Sequence, residues 1–199
     1  GFVELGASFH FDIEKSFYSL TTKKLIGKSI LLEEPSVTGT ANIVMAAVLA
    51  EGETTIFNAA CEPYLQQLCD MLNRMGAKIS GIGSNLLKIE GVKKLGGTTH
   101  RLLPDMIEIG SFIGLAAMTK SDIIIKDVRL DMLGLIPTFF KKLGIQLELI
   151  GDDIHIPAQE KYEIKTFIDG SILTISDGPW PLFTPDLLSI VLVTATQAD

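Results

Sequence analysis

Two stretches of this chain repeat one another, and a chain that repeats a unit of mixed helix and strand has few ways to fold. The first stretch reads as an apolar helix over Ile43–Leu49, a strand over Thr54–Asn58, a second helix, and then two strands. The second helix opens at Glu62-Pro63, where proline's missing N–H costs nothing, and Gly76 stops it. Its apolar face is Tyr64, Leu65, Leu68, Met71, Leu72 and Met75. The two strands, Ala77–Ile82 and Leu86–Val92, flank the hairpin signal Gly83-Ser84-Asn85. The same order returns as a helix over Ile107–Met118, a strand over Asp122–Lys126 and a helix over Met132–Leu143 ending at Gly144. Strands over Ile145–Leu149 and Ile154–Ile156 follow, around Gly151-Asp152-Asp153. Gly76 and Gly144, Gly83 and Gly151, and Leu65 and Leu133 keep one common offset.

Partial copies flank these two. Val3-Glu4-Leu5-Gly6-Ala7 reads as a helix end matching Met75-Gly76-Ala77, with strands near Ser8–Asp12 and Phe17–Thr21 after it. Beyond residue 170 a strand near Ile172–Ser176 precedes Pro185-Asp186, which leads into an apolar helix over Leu187–Thr196. The predicted class is therefore α/β (α+β), built from helix-strand-helix-strand-strand units of which the first and last are incomplete. A unit with two helices and a small sheet buries most if the sheets lie outside and the helices inside. Residues 43–50 and 111–118 are apolar nearly all round, as an interior helix requires.

The chain's 199 residues, 47% of them hydrophobic, can support a sizeable core and argue against disorder. A net charge of −7 with no basic run excludes nucleic acid as the expected partner. Each apolar run is interrupted by charges, glycines or prolines before it reaches membrane-spanning length, and Gly1 to Phe17 has no signal-peptide pattern. Cys61 and Cys69 are the only cysteines, which suits reduced cytoplasmic thiols better than a disulfide framework. His10, His100 and His155 have no metal-ligand spacing, so no metal site is expected.

One stretch draws the functional reading. Glu34 to Gly52 begins with proline, glycine and small hydroxyl residues, becomes an apolar helix, and stops at Glu51-Gly52. Small residues ahead of a buried helix place free backbone N–H groups at the positive end of its dipole, which suits a phosphate. Simple N-capping by Ser36, Thr38 or Thr40 explains the same residues without a ligand.

Three segments together resemble one family. SVTGTANIVMAAVLAEG, NAACEPYLQQLCDMLNRMGAKISGIGSNLLKIEGV and LLPDMIEIGSF are similar to the UDP-N-acetylglucosamine 1-carboxyvinyltransferase family of enolpyruvyl transferases, from about Leu5 to Leu188. The resemblance implies an inside-out α/β barrel of two domains, with three repeated units in each. Residues 1–103 then correspond to the later part of the first domain and 104–199 to the start of the second, so the chain is expected to be an internal segment of the enzyme. The family's reaction moves the enolpyruvyl group of phosphoenolpyruvate to the 3-hydroxyl of UDP-N-acetylglucosamine and releases phosphate, in peptidoglycan (cell wall) biosynthesis. Its substrates are small molecules; no cofactor, nucleic acid or membrane is implied, and the location is cytoplasmic.

Two family site segments fall in this chain. Where the family commonly has Lys-x-Ser-Val-Gly against the uridine diphosphate, this chain has Glu34-Pro35-Ser36-Val37-Thr38. Ser36 and Val37 match; Glu34 removes a phosphate-pairing charge, and Thr38 narrows the backbone's options. Where the family orders Phe-Pro-Thr-Asp, this chain has Phe183-Thr184-Pro185-Asp186. By that resemblance Asp186 is the catalytic residue, contacting the sugar hydroxyl and serving in proton transfer. Its structural alternative is an N-cap on the helix at Leu187. Asp105 and Glu108 suit a helix N-terminus whose family position faces the cleft, and Met106 stands where the family commonly has arginine. Cys69 reads as core, Cys61 as packing in a capping loop in preference to a thiol activated just before a helix start, and Asp152-Asp153 as a turn. Trp180, between Pro179 and Pro181, either walls the cleft or packs against the hinge.

The family's reactive cysteine loop, and the arginines and lysine that hold phosphoenolpyruvate, lie outside the matched segment. The 199 residues alone are therefore expected to lack transferase activity and, with apolar faces uncovered, to self-associate. Two other readings share the repeat: a shikimate-phosphate enolpyruvyl transferase, and a non-catalytic binding or assembly module.

Overall fold

The computed structural model describes residues 1–198, which fall into two compact units divided between Leu102 and Leu103. The first unit opens on a helical turn and a hairpin of β1 (Ser8–Asp12) and β2 (Phe17–Thr21), in the register Ser8↔Thr21 to Asp12↔Phe17. Phe9, Phe11, Tyr18 and Leu20 share one face of this hairpin, and Tyr18 stacks on Phe11 at 4.5 Å between ring centres.

A sheet in the order β3-β4-β6-β5 follows: β3 (Ser29–Leu31), β4 (Glu53–Phe57), β5 (Lys78–Ser80) and β6 (Leu86–Glu90). β3 and β4 are parallel, joined by the crossover helix α1 (Val37–Ala47); β4, β6 and β5 are antiparallel neighbours. α2 (Pro63–Arg74) begins with proline in its first turn, as read from the sequence. Ile43, Val44 and Ala47 of α1, Cys69 and Leu72 of α2, and Ile56, Leu87 and Ile89 of the sheet are buried together, with Leu5 of the opening turn.

The second unit repeats the pattern. α3 (Met106–Thr119) precedes β7 (Ile123–Ile125), α4 (Ile136–Lys142), β8 (Glu148–Ile150) and β9 (Asp153–Ile156), with strand order β7-β9-β8. That order copies β4-β6-β5. Pro185–Leu187 form a 3-10 turn that runs into α5 (Leu188–Ala195), packed beside α3. The core gathers Ile113, Leu133, Phe140, Ile154, Ile156, Phe183 and Leu187.

The repeat is visible atom by atom at three helix ends. Gly6, Gly76 and Gly144 all have positive φ, and each donates its N–H to the carbonyl three residues back. The next residue in each case, Ala7, Ala77 or Ile145, donates five residues back, to Phe2, Leu72 or Phe140. This pair of bonds closes a helix on a left-handed residue, which glycine adopts without a Cβ clash.

Four expectations change. α1 does not run to Gly52: it ends at Ala47 with Val48 as C-cap, because residues 48–50 close tighter turns before Glu51 bridges Ile26. The helix expected over 132–143 is broken into a 3-10 turn, Leu130–Met132, and α4. Gly134 sits at φ +51°, and a Cβ there would lie 2.5 Å from the Trp180 ring. The strand expected at 145–149 starts later, since Gln159 Oε1 accepts the Gln146 N–H (2.7 Å) in place of a ladder partner. No strand forms at 172–176; alternation makes a strand only with a neighbour to bond, and among the described residues this segment has one bridge beyond it, Asp177 to Phe183.

Within their own units the two apolar helices are covered on one side. Met45 and Leu49 beside α1's buried face, and Phe112 and Leu115 on α3, are each about half exposed.

Candidate active site

The parallel pair β3–β4 sets two loops side by side, because each leaves the C-terminal end of its strand: residues 32–36 run into α1, and residues 58–62 run into α2. Ligands of α/β proteins commonly meet such strand ends. The loops are tied together. Asn58, itself at positive φ, donates its side-chain N–H to Leu32 O (3.0 Å), and Leu32 donates its backbone N–H to Phe57 O (3.1 Å).

Ser36 is the N-cap of α1. Its Oγ accepts the Gly39 N–H (3.1 Å), and its carbonyl accepts the Thr40 N–H (2.9 Å). The capping expectation is thus realised in Ser36, and the first-turn donors left over are the N–H groups of Val37 and Thr38. Pro35, Ser36 and Val37 are half-buried, while Glu34 and Thr38 are exposed. No acidic residue occupies the first turn of α1 to compete with an anion.

Two polar groups near the starts of α1 and α2 escaped the sequence reading in the part they play. Thr40 is fully buried; its hydroxyl donates to Ser36 O (2.7 Å) and accepts the Ala60 N–H (3.0 Å). The signal was a hydroxyl residue on the buried stripe that continues through Ile43, Val44 and Ala47. Glu62, at the N-cap position of α2, makes no side-chain capping bond, and its Oε2 is buried with no hydrogen-bond partner among the described residues. An orphaned buried oxygen in a native fold calls for a partner that the chain itself does not supply.

Asp186 lies in the second unit. It occupies the middle of the 3-10 turn Pro185–Leu187, its side chain exposed, with no hydrogen bond or ion pair among the described residues. The N-cap of this turn is Thr184 and that of α5 is Leu187, so the capping alternative for Asp186 does not hold. Its neighbours are firmly seated. Phe183 is fully buried against Phe139, 4.6 Å between ring centres, and Leu187 is fully buried beneath α3, against Gly110. Trp180 closes on Gly134, which answers the question of what it packs against within this unit. Asp186 is a carboxylate with a fixed backbone and no structural task for its side chain.

The remaining candidates fall to structural roles. Asp105 caps α3, its Oδ1 accepting the N–H groups of Ile107 (2.8 Å) and Glu108 (3.4 Å), and Met106 is buried. Cys69 is core, and burial pushes its thiol up to about 11. Burial and the nearby Glu62 carboxylate raise the Cys61 thiol as well, the opposite of activation. Asp152 lies in the turn between β8 and β9 and Asp153 opens β9; Asp152 Oδ1 accepts the Leu130 N–H and Asp153 Oδ1 the Asp127 N–H, so both carboxylates hold the segment that follows β7. Among the described residues no cluster of three or more His, Cys, Asp or Glu could hold a metal ion, and no helix is long and apolar enough to cross a membrane. A surface hollow of about 470 Å³ at the far end of α1, lined by Lys24, Leu49, Gly91 and Lys93 among others, includes none of the site residues.

Known proteins resemble this chain in sequence and in fold. The sequence profile of the family described as EPSP synthase (3-phosphoshikimate 1-carboxyvinyltransferase) matches residues 1–199. The chain is 67% identical over 198 residues to the UDP-N-acetylglucosamine 1-carboxyvinyltransferase of Bacteroides thetaiotaomicron, covering 100% of this chain and 46% of that protein. It is 63% identical over 198 residues to the protein of the same name from Porphyromonas gingivalis, with the same coverage. The chain thus spans about half the length of the curated relatives it matches. Among solved structures, the enolpyruvyl transferase NikO from Streptomyces tendae superposes with a TM-score of 0.81 at 14% identity, covering 100% of this chain and 48% of that one. That likeness bears out the expected inside-out α/β barrel fold.

Proposed function

This chain belongs to the EPSP synthase (3-phosphoshikimate 1-carboxyvinyltransferase) family, and from that premise we propose that it serves enolpyruvyl transfer from phosphoenolpyruvate to the 3-hydroxyl of UDP-N-acetylglucosamine. The observation that carries the choice of acceptor is the 67% identity, over the whole chain, to a relative of that name. The Ser36 loop points the same way. Its anion seat is made of backbone N–H groups and hydroxyls without a cation, which suits a diphosphate shared with other residues better than the compact charge of a shikimate phosphate. We assign the two units to the later part of the first family domain and the start of the second.

In the proposed reaction the Val37 and Thr38 N–H groups, at the positive end of α1, bind a diphosphate oxygen. Glu34 beside them stays solvated and gives no phosphate contact. Asp186 orients the sugar 3-hydroxyl and accepts its proton as the oxygen bonds to C2 of phosphoenolpyruvate. A general acid outside the Ser36 loop and the Asp186 turn protonates C3 at the same stage, giving a tetrahedral ketal, and its conjugate base takes the methyl proton back in the next step. Loss of a proton from that methyl group then expels phosphate and restores the enol ether. The cationic groups that stabilise the phosphate of phosphoenolpyruvate are not supplied by the Ser36 loop or the Asp186 turn, and electrostatic terms of that kind dominate such catalysis. The product is a precursor of peptidoglycan, and phosphorylated, membrane-impermeant substrates fit a cytoplasmic protein.

Calorimetric titration with UDP-N-acetylglucosamine and, separately, with shikimate 3-phosphate tests the acceptor. Saturable binding of the nucleotide sugar alone is expected. Preference for shikimate 3-phosphate would transfer the assignment to the sister activity, and binding of neither would favour an assembly module.

A further inference from the structure

We infer that Thr40 is a positioning residue for the diphosphate seat, locking the loop that Ser36 caps onto the loop that enters α2; the inference rests on the proposed binding of a nucleotide diphosphate at Ser36–Thr38. A threonine inside a helix commonly donates its hydroxyl to the carbonyl four residues back, and Thr40 does so to Ser36 O at 2.7 Å. That bond alone is ordinary. The second is not, because the same oxygen accepts the backbone N–H of Ala60, a residue of the other loop, at 3.0 Å.

Ala60 is buried, so its N–H has no water to turn to if the hydroxyl is removed. Thr40 itself is fully buried, so its side chain cannot touch a ligand in solvent; it acts through what it holds. It holds Ser36 doubly, since Ser36 O receives both the N–H and the hydroxyl of Thr40, while Ser36 Oγ receives the N–H of Gly39. The direction of the Val37 and Thr38 N–H groups is therefore fixed relative to residues 59–61. The second loop is pinned in turn: Ala59 donates its N–H to Asn85 O (3.0 Å), and Gln66 donates its side-chain N–H to Cys61 O (2.7 Å). The residue after Cys61 is Glu62, with its orphaned buried oxygen. Thr40 thus ties the start of α1, with its two spare first-turn N–H groups, to the loop that leads to Glu62, whose buried Oε2 has no partner among the described residues.

The test is UDP affinity, measured by calorimetry on the full chain carrying Thr40→Val, which keeps the shape and removes both bonds, or Thr40→Ser, which keeps both. Thr40→Val should weaken UDP binding about tenfold in the folded protein, as expected for misplacing a set of donors, and Thr40→Ser should restore it to within about threefold. Unchanged UDP affinity in a folded Thr40→Val protein, even one that melts earlier, overturns the inference and leaves Thr40 a packing residue. Should Thr40→Val not fold, amide hydrogen exchange of the unsubstituted protein decides. UDP should slow exchange at Ala60 together with Val37 and Thr38; slowing at Val37 and Thr38 without Ala60 overturns the inference while sparing the seat. If the unsubstituted protein binds no UDP, the seat itself is refuted and this inference falls with it.

Discussion

Asp186→Asn separates chemistry from structure more cleanly than any other change in this chain. The substitution keeps size and shape and removes the charge and the proton-accepting oxygen. Because the Asp186 side chain is exposed and makes no hydrogen bond or ion pair among the described residues, folding stability should move by no more than about 0.5 kcal/mol. Loss of a positioned proton acceptor should lower turnover about 10²- to 10⁴-fold, equivalent to roughly 3–5 kcal/mol on the barrier. Asp105→Ala provides the contrast. It removes the oxygen that accepts two first-turn N–H groups of α3, at 2.8 and 3.4 Å, and should cost about 1 kcal/mol of stability. The assay is phosphate release at saturating UDP-N-acetylglucosamine and phosphoenolpyruvate, in an enzyme of the relatives' full length that carries this chain, with urea unfolding run in parallel. Turnover of the Asp186→Asn enzyme within about threefold of the parent would refute the proton-transfer role. A stability loss matching that of Asp105→Ala would show that Asp186 has a structural bond after all.

Two further outcomes follow from the titrating groups. His155 on β9 bridges two carboxylates, Nδ1 to Glu148 (2.8 Å) and Nε2 to Asp122 (3.1 Å), and hydrogen bonds to both raise its pKa above the usual imidazole value. A raised folded pKa makes its contribution full below about pH 6.5 and lost as pH rises through the folded value. Ile124 and the Lys126–Asp153 pair share its side of the sheet, and Asp153, whose pKa Lys126 lowers, weakens only at acid pH, outside that window. The melting temperature of the parent should therefore fall relative to His155→Gln between pH 6 and 8.5; parallel pH profiles would contradict the bridge. Cys69, buried and with its thiol pushed up to about 11, should resist iodoacetamide at pH 8 until the protein is denatured. Mass spectrometry showing rapid native alkylation at Cys69 would mean that α2 opens readily from the core.

What could be read from the sequence divides by the distance over which its causes act. The helix ends at Gly6, Gly76 and Gly144 were legible because a left-handed glycine and its two backward bonds lie within one helical turn. The N-cap at Ser36 was legible for the same reason, its partner being three residues on. The break in the expected 132–143 helix was not, because an isolated glycine in a helical pattern is usually tolerated; what makes Gly134 a break is the indole of Trp180, far along the chain, in the space a Cβ would take. Residues 172–176 read like a strand but, among the described residues, bond to no neighbouring strand, and a strand-like pattern carries no information about a partner. The candidate site divides in the same way. Ser36 and Asp186 came from motifs, local strings matched to a family. Thr40 as a tie to Ala60, and Glu62 with its unpaired oxygen, became visible only once β3 and β4 lay parallel and brought two loops together. α3 opens on the Asp105 cap as α1 opens on the Ser36 cap, but four residues past the cap α3 has Ile109 where α1 has Thr40, so that copy has no hydroxyl there to hold a second loop. The parts of the site that distinguish the α1 copy from the α3 copy are therefore the long-range ones.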